Sequence, residues 1–218
     1  MLYNYISKIG SVLRGDGMKK IAVILLSALM IATLLLSVGS CANNETGNNG
    51  GDSSKRHVVI TFEGYGDVYF ELDHDQAPIT VDHFIKLITS GSYNNSYVNR
   101  LQPGFVLQAG YGCTDNTKIK GEFKSNGVDN TISHTKGVLS MARGGDPNSA
   151  SNQFFVVLGN ATQLDGKYAA FGHCTKGFEI IEKIANDLAA KKQYADTYYY
   201  FLKPEAYIKM TLKVMNID

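Results

Sequence analysis

Residues 57–62 and 67–72 are apolar-rich runs of β-branched and aromatic residues, with the polar, glycine-bearing stretch Glu63-Gly64-Tyr65-Gly66 between them. Two such runs about a short turn predict a hairpin. The pattern then changes. Val81, Phe84, Ile85 and Ile88 recur at helical spacing over residues 79–89, with Pro78 at the entry and Gly91 past the end, which predicts a first helix. Short apolar runs follow at 97–101, 105–109, 137–141, 153–158 and 169–174, separated by turn-rich stretches. A second amphipathic helix is expected over 177–190, with Ile181, Ile184, Ala185 and Leu188 on one face. Ile208, Met210, Leu212 and Val214 alternate cleanly and predict a last strand.

About eight strands with only two helices favour an antiparallel sheet over repeated βαβ units. Closing that sheet into a barrel would remove its exposed edges, and the helices could plug the two open ends. Residues 191–206, with Tyr198-Tyr199-Tyr200-Phe201, interrupt the pattern before the last strand. This aromatic cluster is expected to pack on the domain's own surface.

The N-terminus reads differently. Met18-Lys19-Lys20 precedes an almost wholly apolar stretch at 21–36, and Ser37-Val38-Gly39-Ser40 leads to Cys41. Charge, apolar run and small residues in that order form an export signal. The ending resembles a bacterial lipobox, which implies lipidation at Cys41; an uncleaved membrane helix is the alternative. Residues 1–41 are therefore expected to be a signal peptide, with Met18 a candidate start, and residues 42–55 a flexible tether with nothing to bury. Residues 56–218 form the globular domain, anchored outside the bacterial cell membrane.

The formal charge of +1 is unevenly placed, leaving 17 basic and 19 acidic residues after Cys41. No basic stripe remains to draw in a phosphate backbone, so nucleic acid is not an expected partner. Only Cys113 and Cys174 remain beyond the lipobox; two free, partly buried thiols are expected, although export would permit a disulfide. No histidine pair or CxxC suggests a metal, and there is no GxSxG elbow. The glycine-bounded run 159–167 is too long for a phosphate loop and is followed by Tyr168 where Ser or Thr would be needed.

What remains is a pattern spread over three blocks. The first, residues 98–110, places Arg100, Phe105, Val106 and Gln108 around Pro103-Gly104. The second runs from Gly137-Val138-Leu139-Ser140-Met141-Ala142-Arg143 through a loop to Asn152-Gln153-Phe154-Phe155. The third is Leu164-Asp165-Gly166-Lys167-Tyr168-Ala169-Ala170-Phe171-Gly172. In this order and spacing, the blocks resemble the cyclophilin-type peptidyl-prolyl cis–trans isomerases, from about residue 57 to residue 218.

The resemblance implies an all-β fold, a closed eight-stranded antiparallel barrel capped by two helices. It implies catalytic roles for Arg100, Phe105 and Gln108, and a peptide groove made by Val106, Ala142, Arg143, Gln153, Phe155, Leu164 and Tyr168. No cofactor and no metal are implied. Three positions depart from the family pattern: Gln163 stands where an aromatic is usual, which implies weak cyclosporin binding, Tyr168 stands in place of histidine, and Asn99 replaces histidine beside the arginine.

These residue types suit the reaction. The X-Pro bond resists rotation by roughly 20 kcal/mol through its partial double-bond character. Twisting it localises a lone pair on the prolyl nitrogen, and a guanidinium placed there donates a hydrogen bond that strengthens as the lone pair appears. Proline-containing peptides and unfolded exported proteins are the expected partners of a monomer. A non-catalytic proline-peptide binding module on the same barrel is the alternative, and a solute-capturing lipoprotein is a more distant one.

Overall fold

The computed structural model describes residues 55–191, 194–195 and 198–215; the expected signal peptide, Cys41 and all but the last residue of the expected tether lie outside them. Eight strands are present: β1 (Lys55–Phe62), β2 (Gly66–Asp73), β3 (Ser96–Gln102), β4 (Val106–Tyr111), β5 (Val138–Met141), β6 (Phe154–Val157), β7 (Ala170–Lys176) and β8 (Ile208–Met215). Helix α1 (Pro78–Thr89) follows β2, and α2 (Phe178–Ala190) follows β7. The strands close in the order β1-β2-β7-β5-β6-β4-β3-β8, with every adjacent pair antiparallel. Closure leaves no strand with a whole unpaired edge.

The period-two pattern sets what fills the barrel. On β1, Val58, Ile60 and Phe62 are buried, and on β8 Ile208, Met210 and Leu212 are buried, while the alternate residues Lys209, Thr211 and Lys213 are exposed. β5 and β6 are buried at every residue, because both their faces are covered. Leu139, Met141, Phe154 and Val156 join the main core. Val138, Phe155 and Val157 point the other way, into a second, smaller apolar cluster with Val106, Ala161 and Ala170. An apolar run without alternation in residues 153–158 is the signature of such a two-sided strand.

Helix α1 packs Phe84 against the rings of Phe154 and Phe171, at 5.2 and 5.1 Å between centroids. Its first turn has no side-chain cap of its own. The buried Glu122 supplies one from a distant loop, accepting from the backbone N–H of Ile79 (3.0 Å) and of Thr80 (2.7 Å) and from the Thr80 hydroxyl (2.7 Å). A carboxylate there satisfies orphan donors and complements the helix dipole. Helix α2 starts from Gly177, whose φ of 86° and approach to the Asp67 carbonyl, 2.6 Å from where a Cβ would stand, exclude a side chain. Cys113 and Cys174 are free thiols, as expected.

Candidate functional site

The site is built on the outer face of β3, β4 and β6. Val98 pairs with Ala109 and Arg100 with Gln108, so Asn99 is the extra residue of a bulge. The bulge buries Asn99, which is 3% exposed, and sets Arg100 opposite Gln108. Gln108 in turn pairs with Phe155 on β6. Arg100, Gln108 and Phe155 thus form one cross-strand row.

Hydrogen bonds fix the polar end of that row. The Arg100 Nη1 donates to Gln108 Oε1 at 3.3 Å, Nη2 donates to Gln102 Oε1 at 2.8 Å, and Nε donates to the Tyr199 carbonyl at 2.7 Å. Gln108 Nε2 passes the chain on to Gln153 Oε1 at 2.8 Å. Gln153 can come this close because Gly110, at φ 98°, lets β4 pass against the Asn152 carbonyl, where a Cβ would lie only 2.4 Å from that oxygen.

Beside the guanidinium opens a cavity of about 450 Å³ lined by Arg100, Phe105, Val106, Gln108, Ala142, Arg143, Phe155, Leu164, Tyr168, Tyr199 and Phe201. Its floor is the second apolar cluster. The Phe155 and Tyr168 rings meet edge to face at 6.0 Å, and the Arg143 guanidinium sits 4.7 Å from the centre of the Tyr168 ring. Arg143 is held there by donating from Nε to the Lys167 carbonyl (2.9 Å) and from Nη1 to the Gly144 carbonyl (2.8 Å). No Asp or Glu lines the cavity. The arrangement offers an apolar bed and fixed donors, with no carboxylate to move a proton.

A buried polar network supports the bed. His134 stacks on Phe155 at 6.1 Å. Its Nδ1 lies 2.8 Å from Asp165 Oδ1 and its Nε2 lies 2.9 Å from the Ser140 hydroxyl. Although these are the members of a hydrolytic triad, Ser140 is fully buried and does not line the cavity. The network is a brace. Burial holds the imidazole below the usual histidine range, outweighing the attraction of Asp165. Burial also pushes Asp165 upward, but bonds from the His134 backbone, the Ser133 hydroxyl and the His134 ring together hold it below the usual carboxylate range.

Nine of the ten sequence-predicted peptide-site residues line this one cavity. The tenth, Gln153, lines an adjoining cavity and is bonded to Gln108. Gln163 is exposed and lines neither cavity. Gln102, His134, Tyr199 and Phe201 were not expected at the site. The aromatic cluster does pack on the domain's own surface, but at the mouth of the site. The β3–β8 pairing ends at Val98–Ile208, and residues 198–207, an aromatic arm, take over there: Phe201 bridges Arg100 through two bonds, the Leu101 N–H donating to the Tyr200 carbonyl (3.1 Å) and the Leu202 N–H to the Asn99 carbonyl (2.9 Å). A run of aromatics with no period gave no sign of this docking.

The model of the cyclophilin-type peptidyl-prolyl cis–trans isomerase family matches residues 57–200. A peptidyl-prolyl cis–trans isomerase of Arabidopsis thaliana is 34% identical over 166 residues, covering 68% of this chain and 73% of the relative. Another, from Acinetobacter baylyi, is 31% identical over 166 residues, covering 73% and 81%. Among solved structures, a cyclophilin-type isomerase of Cryptosporidium parvum superposes with a TM-score of 0.61 at 26% identity, covering 75% of this chain and 99% of that one. The chain belongs to the cyclophilin-type peptidyl-prolyl cis–trans isomerase family, and its activity is rotation about X-Pro bonds.

Proposed function

We propose that Arg100 is the catalytic residue of this isomerase and that its clients are exported proteins reached from a lipid anchor at Cys41. The observation that carries the first part is the placing of the guanidinium beside an apolar cavity of about 450 Å³. The proline ring seats on Phe105, Phe155 and Leu164, with Val106 and Ala142 beside them, and Tyr168 closes one side. The peptide beyond it rotates, and the prolyl nitrogen pyramidalises toward Arg100. An arginine suits this role because it stays protonated and its donors lie in one plane. Gln102 and Gln108 hold that plane, so little reorganisation is needed as the lone pair appears. Gln108, Gln153 and the backbone at Arg143 orient the peptide.

The magnitudes are consistent with that division. Raising a rate from about 0.01 to about 1000 per second requires roughly 7 kcal/mol. A charge-assisted hydrogen bond supplies about 2–3 kcal/mol of it, and positioning supplies the remainder. Turnover of an Ala-Pro peptide by the purified protein is expected to fall by about 100-fold in Arg100→Ala, and to recover only in part in Arg100→Lys, which keeps the charge but loses the planar fork. Retained turnover in Arg100→Ala would remove it from the mechanism, and tight peptide binding without turnover in the wild type would favour a binding module.

The anchor rests on the order of charge, apolar run and small residues before Cys41. With residues 42–55 as a tether, residues 56–218 act as a monomeric domain outside the membrane, where slow proline steps limit the folding of arriving chains. Cys41→Ala is expected to remove the acyl mass from the N-terminal peptide and release the protein from the membrane fraction. Unchanged acylation would refute the assignment.

A further inference from the structure

We infer that Tyr200 is a positioning residue for Arg100: its left-handed backbone aims the Tyr199 carbonyl at the Arg100 Nε and so fixes the guanidinium from the arm. The inference rests on the reading of Arg100 as the catalytic residue.

Acceptors from three elements hold the guanidinium. Gln108 on β4 takes Nη1 at 3.3 Å, Gln102 on β3 takes Nη2 at 2.8 Å, and the Tyr199 carbonyl on the arm takes Nε at 2.7 Å. They differ in kind. Each glutamine oxygen ends a side chain rich in rotamers, whereas the carbonyl belongs to the main chain and moves only with it. That stretch of main chain is pinned beside Arg100 itself. The Leu101 N–H donates to the Tyr200 carbonyl at 3.1 Å, and the Leu202 N–H donates to the Asn99 carbonyl at 2.9 Å. The carbonyl and the strand that bears Arg100 are thereby tied as one unit.

Tyr200 gives the stretch its direction. In an extended strand, neighbouring carbonyls point to opposite sides. Here the Tyr199 and Tyr200 carbonyls both face β3, one accepting from the Arg100 side chain and the other from the Leu101 N–H. The φ of 63° at Tyr200 turns the chain so that both can do so. Among the described residues it is the one positive φ outside glycine, and a bulky residue holds it only where the surroundings enforce it. The half-buried Tyr200 ring stands edge to face with Tyr194 at 5.7 Å, and Tyr194 packs on the main core. Beyond the turn, Phe201 reaches the two cavities that it lines.

The reaction gains a guanidinium that is in place before substrate arrives. The prolyl nitrogen becomes an acceptor only as the bond twists, so an arginine that must first be ordered loses part of its hydrogen bond to that ordering. Without the carbonyl, Arg100 leans more on side-chain acceptors that can turn with it. The loss falls on kcat and spares KM, because the planar amide nitrogen of the ground state accepts nothing.

The test compares Tyr200→Asn, Tyr200→Ala and Tyr200→Val. All three delete the ring, but asparagine tolerates the left-handed region, alanine resists it and β-branched valine is excluded from it. With the Ala-Pro peptide, kcat is expected to stay within about threefold of wild type in Tyr200→Asn and to fall by about tenfold in Tyr200→Val, with Tyr200→Ala between them and KM unchanged. A role in ring packing alone would lower all three equally. Should the valine variant not fold, an ester in place of the Tyr199–Tyr200 amide weakens the carbonyl as an acceptor and keeps every side chain; kcat should fall by about threefold. In an Arg100→Ala background neither change should lower kcat further. Equal losses in Tyr200→Asn and Tyr200→Val, an ester protein with wild-type kcat, or a loss that persists in full in Arg100→Ala would overturn the inference. Wild-type turnover in Arg100→Ala alone would overturn the reading of Arg100, and this inference with it.

Discussion

The two walls of the proline cavity are made in different ways. One is strand-built: Val106, Phe155 and Ala142 stand on or beside β4, β6 and β5, and the following turn adds Leu164 and Tyr168. It is sunk in its own apolar cluster, with Phe155 only 5% exposed. The other is the arm, whose Tyr198, Tyr199 and Phe201 are 80%, 60% and 40% exposed and which is tied to β3 mainly through the main chain. Burial fixes the first wall in place, as gripping a proline ring requires. On the second, the exposed Tyr198 and Tyr199 side chains can change without disturbing the core, whereas Leu202 is sunk in it.

Removing the centre of the buried wall sharpens that contrast most. Phe155→Ala deletes a ring packed between His134 and Tyr168. Thermal or urea unfolding is expected to show a loss of about 3 kcal/mol, at the low end for such a truncation because one side of the ring already borders a cavity. Where the variant is still folded, kcat/KM for the Ala-Pro peptide should fall at least about tenfold. A variant with wild-type stability would show that the arm, and not the second cluster, is the more rigid wall.

The strand-built wall was also the legible one. Runs rich in β-branched and aromatic residues located β1 and β2, alternation located β8, helical spacing located α1 and α2, and the three blocks named the residues that line the proline cavity. Those signals survive because each is local in the chain. What could not be read depends on long-range meetings. Glu122 caps a helix that begins more than forty residues earlier, and nothing in the neighbourhood of Glu122 marks it as a cap. Tyr199 reaches Arg100 across 99 positions. The bulge at Asn99 is invisible because the short run Tyr97-Val98-Asn99-Arg100-Leu101 has no clean alternation for an extra residue to interrupt. His134 looked like one of several scattered histidines, and only the fold brings it to Ser140 and Asp165.

The brace beneath Phe155 predicts a pH dependence of intermediate size. The folded-state pKa of His134 is depressed, so its contribution to stability is present above the unfolded value of about 6.5 and is lost as pH falls from there toward the folded value. The carboxylate of Asp165 is depressed as well, so its contribution fails in a second, more acid window that opens below about 3.8. The slope from His134 is at most about 1.4 kcal/mol per pH unit, the limit for one proton. Urea midpoints measured from pH 7.5 down to 5 should decline in the wild type and decline less in His134→Gln, which does not titrate. Parallel declines in the two proteins would remove His134 as the acid-sensitive group under the pocket.

The smallest expected effect is the most discriminating for the arm. Tyr198 is 80% exposed and its ring stands edge to face with Tyr199 at 4.5 Å. It lines neither the proline cavity nor its neighbour. If the arm acts through defined contacts, namely the Tyr199 carbonyl on Arg100 and the Phe201 ring between the cavities, then Tyr198→Ala should alter stability by no more than about 0.5 kcal/mol. Its turnover of the Ala-Pro peptide should stay within about twofold of wild type, since a rim aromatic contributes little once the buried contacts are kept. If the arm acts instead as a general adhesive surface for unfolded chains, its most exposed ring should matter most. The two accounts separate in a refolding assay with a proline-limited protein substrate and a short peptide side by side. A Tyr198→Ala variant that loses activity on the protein alone would move substrate capture from the pocket wall to the outer face of the arm.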